Sequence, residues 1–232
     1  ACASYWVWFV VSFIVCVAIA VLYAKSRTPE YSSTAYILIK SSEDAGGNTA
    51  AAMFADMGFM SNNSSAVENE IYVVKSTQLM DDVVEKLHIS NQYFLRKGLR
   101  KVNIYGKNPI EVISPLKIKT TERPKKMIVK PISESEYEYE TDSVSWTKAK
   151  YGDKINTEFG ELSVVKTPNF TPQSLHENVY VDINSIHGRA VAFSKILDVK
   201  KADRETVVLQ LSFTGSSYKM CQDVLNSLIQ AY

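Results

Sequence analysis

The first 24 residues, ACASYWVWFVVSFIVCVAIAVLYA, contain no Asp, Glu, Lys, Arg or His. As a helix rising ~1.5 Å per residue, such a run reaches roughly 36 Å, enough to cross the hydrocarbon core of a bilayer. A core helix of a soluble domain would be apolar on one stripe, and this run is apolar all round. Tyr5, Trp6 and Trp8 near one end and Tyr23 at the other suit the headgroup layers, and Lys25 and Arg27 return the chain to water. A signal peptide is the rival, but its apolar region is normally shorter and follows a positive start. The chain opens on Ala, so upstream sequence is expected, and orientation stays open on charge: Lys25 and Arg27 alone would favour a cytoplasmic domain.

The rest of the chain is long enough for one large domain or two small ones. With 26 basic and 25 acidic residues, no global field marks nucleic acid as a partner. Cys2 and Cys16 lie in the apolar run and Cys221 is alone beyond it, so the soluble part can form no internal disulfide and no Cys-based metal site. Phe13, Ile14 and Val15 are too large to precede a lipid-modified Cys16. The chain lacks a Gly-rich phosphate loop, HExxH, an EF-hand loop and GxSxG. His88, His176 and His187 are far apart and read as structural or surface residues. No residue is assigned as catalytic, cofactor-binding or metal-binding. Sequons at Asn62, Asn63 and Asn169 matter only in a glycosylating host.

Residues 31–40, YSSTAYILIK, alternate Ala35, Ile37 and Ile39 against Tyr36, Leu38 and Lys40, which predicts a strand. Residues 41–65 read as a loop with an apolar island, FADMGFM, at 54–60. In VENEIYVVKSTQLMDDVVEKLHI, residues 67–89, one stripe runs through Val73, Met80, Val83, Val84 and Leu87 and another through Val67, Ile71 and Val74. Two buried faces imply two neighbours. Ser76-Thr77 could cap a fresh helix, so one kinked helix or two short ones are both allowed. The basic run Arg96, Lys97, Arg100, Lys101 and Lys107 reads first as a solvated helix end, with lipid headgroups or an anionic polymer as the functional alternative.

From Pro109 to about Phe170 the pattern is strands and turns. In SESEYEYE, Glu134, Glu136, Glu138 and Glu140 alternate on one strand face, most simply its wet face, because glycoside hydrolysis needs two acids set across a substrate rather than in file. The last third reads strand (177–185), short helix (189–197), strand (206–214) and helix (216–232). In that helix Tyr218, Cys221, Leu225, Leu228 and Tyr232 make a seam for another helix, and the lack of a stop signal predicts that it continues beyond Tyr232.

Taken in order, the span, PEYSSTAYILIK, VENEIYVVKSTQLMDDVVEKLHI with its Lys75-Ser76 pair, and TVVLQLSFTGSSYKMCQDVLNSLIQAY with Asn226 and Tyr232 resemble the polysaccharide co-polymerases, or chain-length determinant proteins. The branch carrying a cytoplasmic tyrosine-kinase module is the most similar. The strand-rich middle, 103–175, matches least. The resemblance implies an α+β fold, with a transmembrane helix at 1–24 and an extracytoplasmic mixed α/β domain made of 25–102 and 176–232 around a strand-rich insertion at 103–175. It also implies a non-enzymatic protein of the bacterial inner membrane with no cofactor, lacking here the second span and kinase module. Like subunits would form a homo-oligomeric ring in the lipid bilayer that works with a polymerase or export machinery on capsular polysaccharide or exopolysaccharide. Candidate contacts between subunits are Glu68, Glu70, Ile71, Val74, Tyr218, Cys221 and Leu225. A membrane-tethered sensor or ligand-binding module is the alternative, and a glycan-cleaving enzyme using the 134–140 strand with Glu158 or Glu161 is a third.

Overall fold

A computed structural model describes residues 6–39, 63–98, 100–113, 124–158, 160–203 and 208–232. Cys2, Tyr5, Lys40, residues 41–62 of the expected loop with the island at 54–60 and Asn62, and residues 114–120 of the strand-and-turn stretch lie outside them, while residues 63–65 of that expected loop instead begin a helix. In chain order the elements are α1 (Trp6–Ser26), β1 (Tyr31–Leu38), α2 (Asn63–Val74), α3 (Thr77–Lys86), β2 (Gln92–Lys97), β3 (Arg100–Asn103), β4 (Ile110–Ile113), β5 (Lys125–Pro131) and β6 (Glu136–Thr141). They continue with β7 (Thr147–Lys150), β8 (Lys154–Thr157), β9 (Gly160–Lys166), β10 (Val179–Ile183), α4 (Ile186–Ile196), β11 (Asp198–Lys201), β12 (Val208–Gly215) and α5 (Tyr218–Ala231). Helices and sheets therefore both appear, and among the described residues every strand pair is antiparallel.

Helix α1 is the one described helix long and apolar enough to cross a membrane. Its apolar side chains are exposed along its length, and none of the described residues buries them. That is the surface a bilayer covers and water does not.

The soluble part has two cores. In the first, α2 to α5 cover one face of the sheet β1-β12-β11, and Leu209, Leu211 and Phe213 of β12 meet Met80, Val83 and Val84 of α3 and Cys221, Val224, Leu225 and Leu228 of α5. The second is a sandwich of the sheet β3-β2-β10-β5-β6-β7 against β4-β9-β8. Val129, Tyr137, Val179 and Val181 of the larger sheet meet Ile110, Val112, Leu162 and Val164 of the smaller. Tyr93 ties the two sheets together, its hydroxyl accepting from the Val112 amide at 2.9 Å, and burial pushes its pKa up.

The two cores are fastened at a polar joint. Arg189, buried in α4, donates to the Ser90 carbonyl at 2.9 Å and the Asp182 carbonyl at 3.2 Å. Burial lowers its pKa to about 10, partly offset by the Asp182 charge. Asn91 donates to the Val112 carbonyl at 3.0 Å and accepts from the Asn184 amide at 3.3 Å. These bonds satisfy backbone groups where strands of one core give way to helices of the other.

Three expectations change. The strand-rich part is wider than 103–175, because β2, β3 and β10 are hydrogen-bonded into the larger sheet and the sandwich runs from Gln92 to Ile183. The basic run after Phe94 is not a helix end: Arg96 pairs with Lys101 and Lys97 with Arg100 in a β2–β3 hairpin. Gly98 turns that hairpin at a φ of 62°, in the left-handed region that favours glycine. Glu134 lies in the turn before β6, leaving Glu136, Glu138 and Glu140 as the strand's outer row.

Candidate assembly surface

The stretch 67–89 forms two helices, not one. Helix α2 ends at Val74, Ser76 caps α3 by accepting from the Leu79 amide at 3.3 Å, and the turn at Lys75 resets the helical phase. Both apolar stripes therefore reach the same core: Val67 and Val74 from α2, Met80, Val83 and Val84 from α3. The inference of two separate neighbours fails for that reason, and Val73, assigned to the first stripe, is instead 51% exposed.

At its other end α3 closes with His88 in the left-handed region at a φ of 51°. His88 donates its amide to the Glu85 carbonyl and Ile89 donates to the Val84 carbonyl, each at 3.1 Å, while Ile89 is buried under the turn. This is the usual glycine arrangement at a helix C-terminus, with histidine in the glycine's place. His176 also has a positive φ, 66°, and donates its amide to the Pro131 carbonyl at 2.7 Å. His187 pairs with Asp81 at 3.2 Å, tying α4 to α3.

The structure does not gather the seven candidate contact residues into one patch. Val74, Cys221 and Leu225 are buried in the chain's own core, and Ile71 packs against it, so the expected seam on α5 is spent on the sheet and on α3. Cys221 sits under β1 within 3.4 Å of the Tyr31 carbonyl, and burial pushes its thiol up. Glu70 accepts from the Tyr232 hydroxyl at 2.7 Å. Burial, then that bond, pushes Tyr232 up to about 12. Tyr218 is exposed at the opposite end of α5, roughly 20 Å from Tyr232 at ~1.5 Å per residue. Of the seven, Glu68 and Tyr218 stay exposed.

Two unlike apolar patches take their place. On α2, Tyr72 (76% exposed) and Val73 point away from the core beside Glu68. On β1, Tyr36 (64%) and Leu38 (70%) point away from the opposite side of the same layer pair, with Leu38 paired to Val208. Sequence reasoning passed over Tyr36 and Leu38 because both faces of YILI are apolar, and alternation alone does not say which face is covered. One patch lies on the helical side of the first core and the other on its sheet side.

The acidic row of β6 is set among cations. Glu138 lies between Lys130 and Lys148 in the sheet, and Glu136 faces Lys150. Tyr137 and Tyr139 point the other way into the sandwich core. Glu161 pairs with Lys154 at 3.1 Å, and Glu158 accepts from Thr141, whose side chain belongs to the buried face. Neither converges with the β6 row. Among the described residues no group of three or more His, Cys, Asp or Glu is arranged to hold a metal. A hollow of about 280 Å³ on the larger sheet's outer face is lined by Lys101, Lys126, Glu140, Asp142, Tyr180 and Asp182, so both charges and one ring share it.

Residues 3–87 match the model of the family described as Wzz: Chain length determinant protein. This part of the chain is similar to the chain length determinant domain. The match takes in α1, β1, α2 and α3, that is the apolar helix and the α2–α3 side of the first core, and stops before the sandwich begins. It supports a chain-length determinant role in polysaccharide biosynthesis. No curated protein matches the chain.

Proposed function

We propose that the protein is a polysaccharide co-polymerase of the bacterial inner membrane, anchored by α1, with its two-core domain on the extracytoplasmic side. Like subunits assemble as a ring that governs the length and export of a capsular polysaccharide or exopolysaccharide. The observation that carries the assembly is the pair of unlike apolar patches, Tyr72 with Val73 on the helical side and Tyr36 with Leu38 on the sheet side. A contact of one patch on the other repeats a single rotation between copies, which yields a ring or a fibre. A span on every subunit keeps them upright in one plane and favours the ring. The kinase-linked branch of the family belongs to the same proposal, with the kinase in a part of the chain beyond Tyr232.

The test is mass photometry of the full chain in mild detergent. Discrete oligomers are expected, and Tyr72→Glu together with Val73→Glu should reduce them to monomers without loss of helical signal. A wild-type protein that is monomeric there, yet supports normal polymer export in cells, would remove both the ring and its role. Alkaline phosphatase fused after Tyr232 should be active, and activity of a cytoplasmic reporter instead would reverse the orientation. The sensor alternative rests on the hollow at Tyr180, and saturable binding of a small molecule there with no effect on polymer would favour it.

A further inference from the structure

The β2–β3 hairpin sets cation opposite cation twice: Arg96 faces Lys101 and Lys97 faces Arg100, and all four side chains are exposed. Like charges directly opposed across two strands destabilise the pairing. Among the described residues, no carboxylate lies within the 4.0 Å of an ion pair of any of the four. Lys101 sits 4.9 Å over the Tyr180 ring and shares the hollow there with Glu140, Asp142 and Asp182, none of them within ion-pair distance, and Arg96 Nε donates to the Gly98 carbonyl at 3.3 Å. A hairpin so written favours an external anion.

Its position says which. Arg100 donates to the Lys25 carbonyl at 2.6 Å and the Ala24 carbonyl at 3.2 Å, two acceptors of the last turn of α1. Those carbonyls have no partner within the helix, and a guanidinium there satisfies both and suits the negative end of the helix dipole. The bond fixes the hairpin tip where the apolar run gives way to Lys25 and Arg27, at the level of the headgroups. Lys25, Arg27 and the four hairpin cations thus belong to the end of α1, its connector and the hairpin docked on it, and Glu30 is the one carboxylate in the connector from α1 to β1.

We propose that the β2–β3 hairpin is a headgroup-binding foot: Arg96, Lys97 and Lys101 bind the phosphates of anionic phospholipids around the span while Arg100 holds the hairpin to α1. This rests on α1 being a membrane span. The foot would set how the domain stands on the bilayer. Each Lys or Arg at an anionic surface adds about fivefold to binding, and the effect fades within a Debye length of about 8 Å at physiological salt.

The full chain, with Cys2 and Cys16 changed to Ser and Lys97→Cys carrying a fluorophore, so that Arg96 and Lys101 remain as the phosphate-binding pair, is reconstituted into vesicles of phosphatidylcholine alone or of equal parts phosphatidylcholine and phosphatidylglycerol. A nitroxide on the headgroups quenches a label that touches them. Quenching should be strong in the anionic vesicles, weaken with added salt, and be weak in phosphatidylcholine. Arg96→Ser with Lys101→Ser should shift the docked-to-undocked ratio by about 25-fold. Equal quenching in both lipids, or quenching indifferent to those two substitutions, overturns the proposal. So does retention of the patch on an anionic polysaccharide without preference for anionic lipid, which would assign it to polymer. Insertion is read separately, by flotation after an alkaline wash: protein that fails to float refutes the span, and the foot falls with it.

Discussion

Val73 and Val74 are neighbours in sequence with opposite fates, and the pair tests the phase reset at Lys75. Val74 is 1% exposed and Val73 51% exposed. Val74→Ala removes two methyl groups from a filled site, at ~0.8 kcal/mol each plus the unfilled cavity, or about 2 to 3 kcal/mol. Val73→Ala gives up little buried area and gains about half a kcal/mol of helix propensity, so it should stay within about 0.5 kcal/mol of the parent. Urea unfolding of the full chain in detergent, followed by circular dichroism, reads the difference. At a slope of about 2 kcal/mol per molar the two midpoints should differ by about 1 M. Dilute protein is needed, because subunit contacts through Val73 would add concentration-dependent stability. If Val73→Ala costs as much as Val74→Ala, the helix runs on through Lys75 with the phase read from the uninterrupted sequence, and the reset is wrong.

His88→Gly should stabilise the protein by about 1 kcal/mol, seen as a higher urea midpoint, because glycine adopts the left-handed cap without steric cost. Tyr105 is pushed up to about 12 by burial and then by its 3.0 Å bond to Asp223. Its stabilisation is whole below pH 10 and is lost as pH climbs to about 12, because the unfolded chain releases that proton first. Tyr105→Phe should therefore flatten the alkaline fall in stability, and an unchanged slope would refute this. Changing Glu136, Glu138 and Glu140 together to Gln should leave the fold intact at a cost of roughly 1 kcal/mol by denaturation, since opposite charges on facing strand positions contribute a few tenths each.

Local periodicity made much of the fold readable. The apolar helix α1, β1, the period-2 row of β6, the strand before α4, β12 and α5 all follow from residue spacing, and the Ser76 cap is legible as one of two alternatives. What spacing could not supply was partnership. Arg96 to Lys101 reads as a polar helix end until Gly98 turns it back on itself, and nothing local says that β10 will join β2 and β5 rather than extend the first core. The seam on α5 was seen correctly as apolar, but its partner is the chain's own β12 and α3, which pattern alone cannot tell from a second subunit. Tyr36 and Leu38 were hidden because an apolar outer face looks like a buried one.

The most direct measurement is the length distribution of surface polysaccharide, resolved by gel electrophoresis, in cells lacking the native protein and supplied with the full-length chain or with its Tyr72→Glu, Val73→Glu variant. Restoration of a defined modal length by the parent chain, and a broad or shortened distribution with the variant at equal membrane abundance, is the predicted result. An identical distribution with the parent chain, the variant and no protein at all would contradict a chain-length role for this domain.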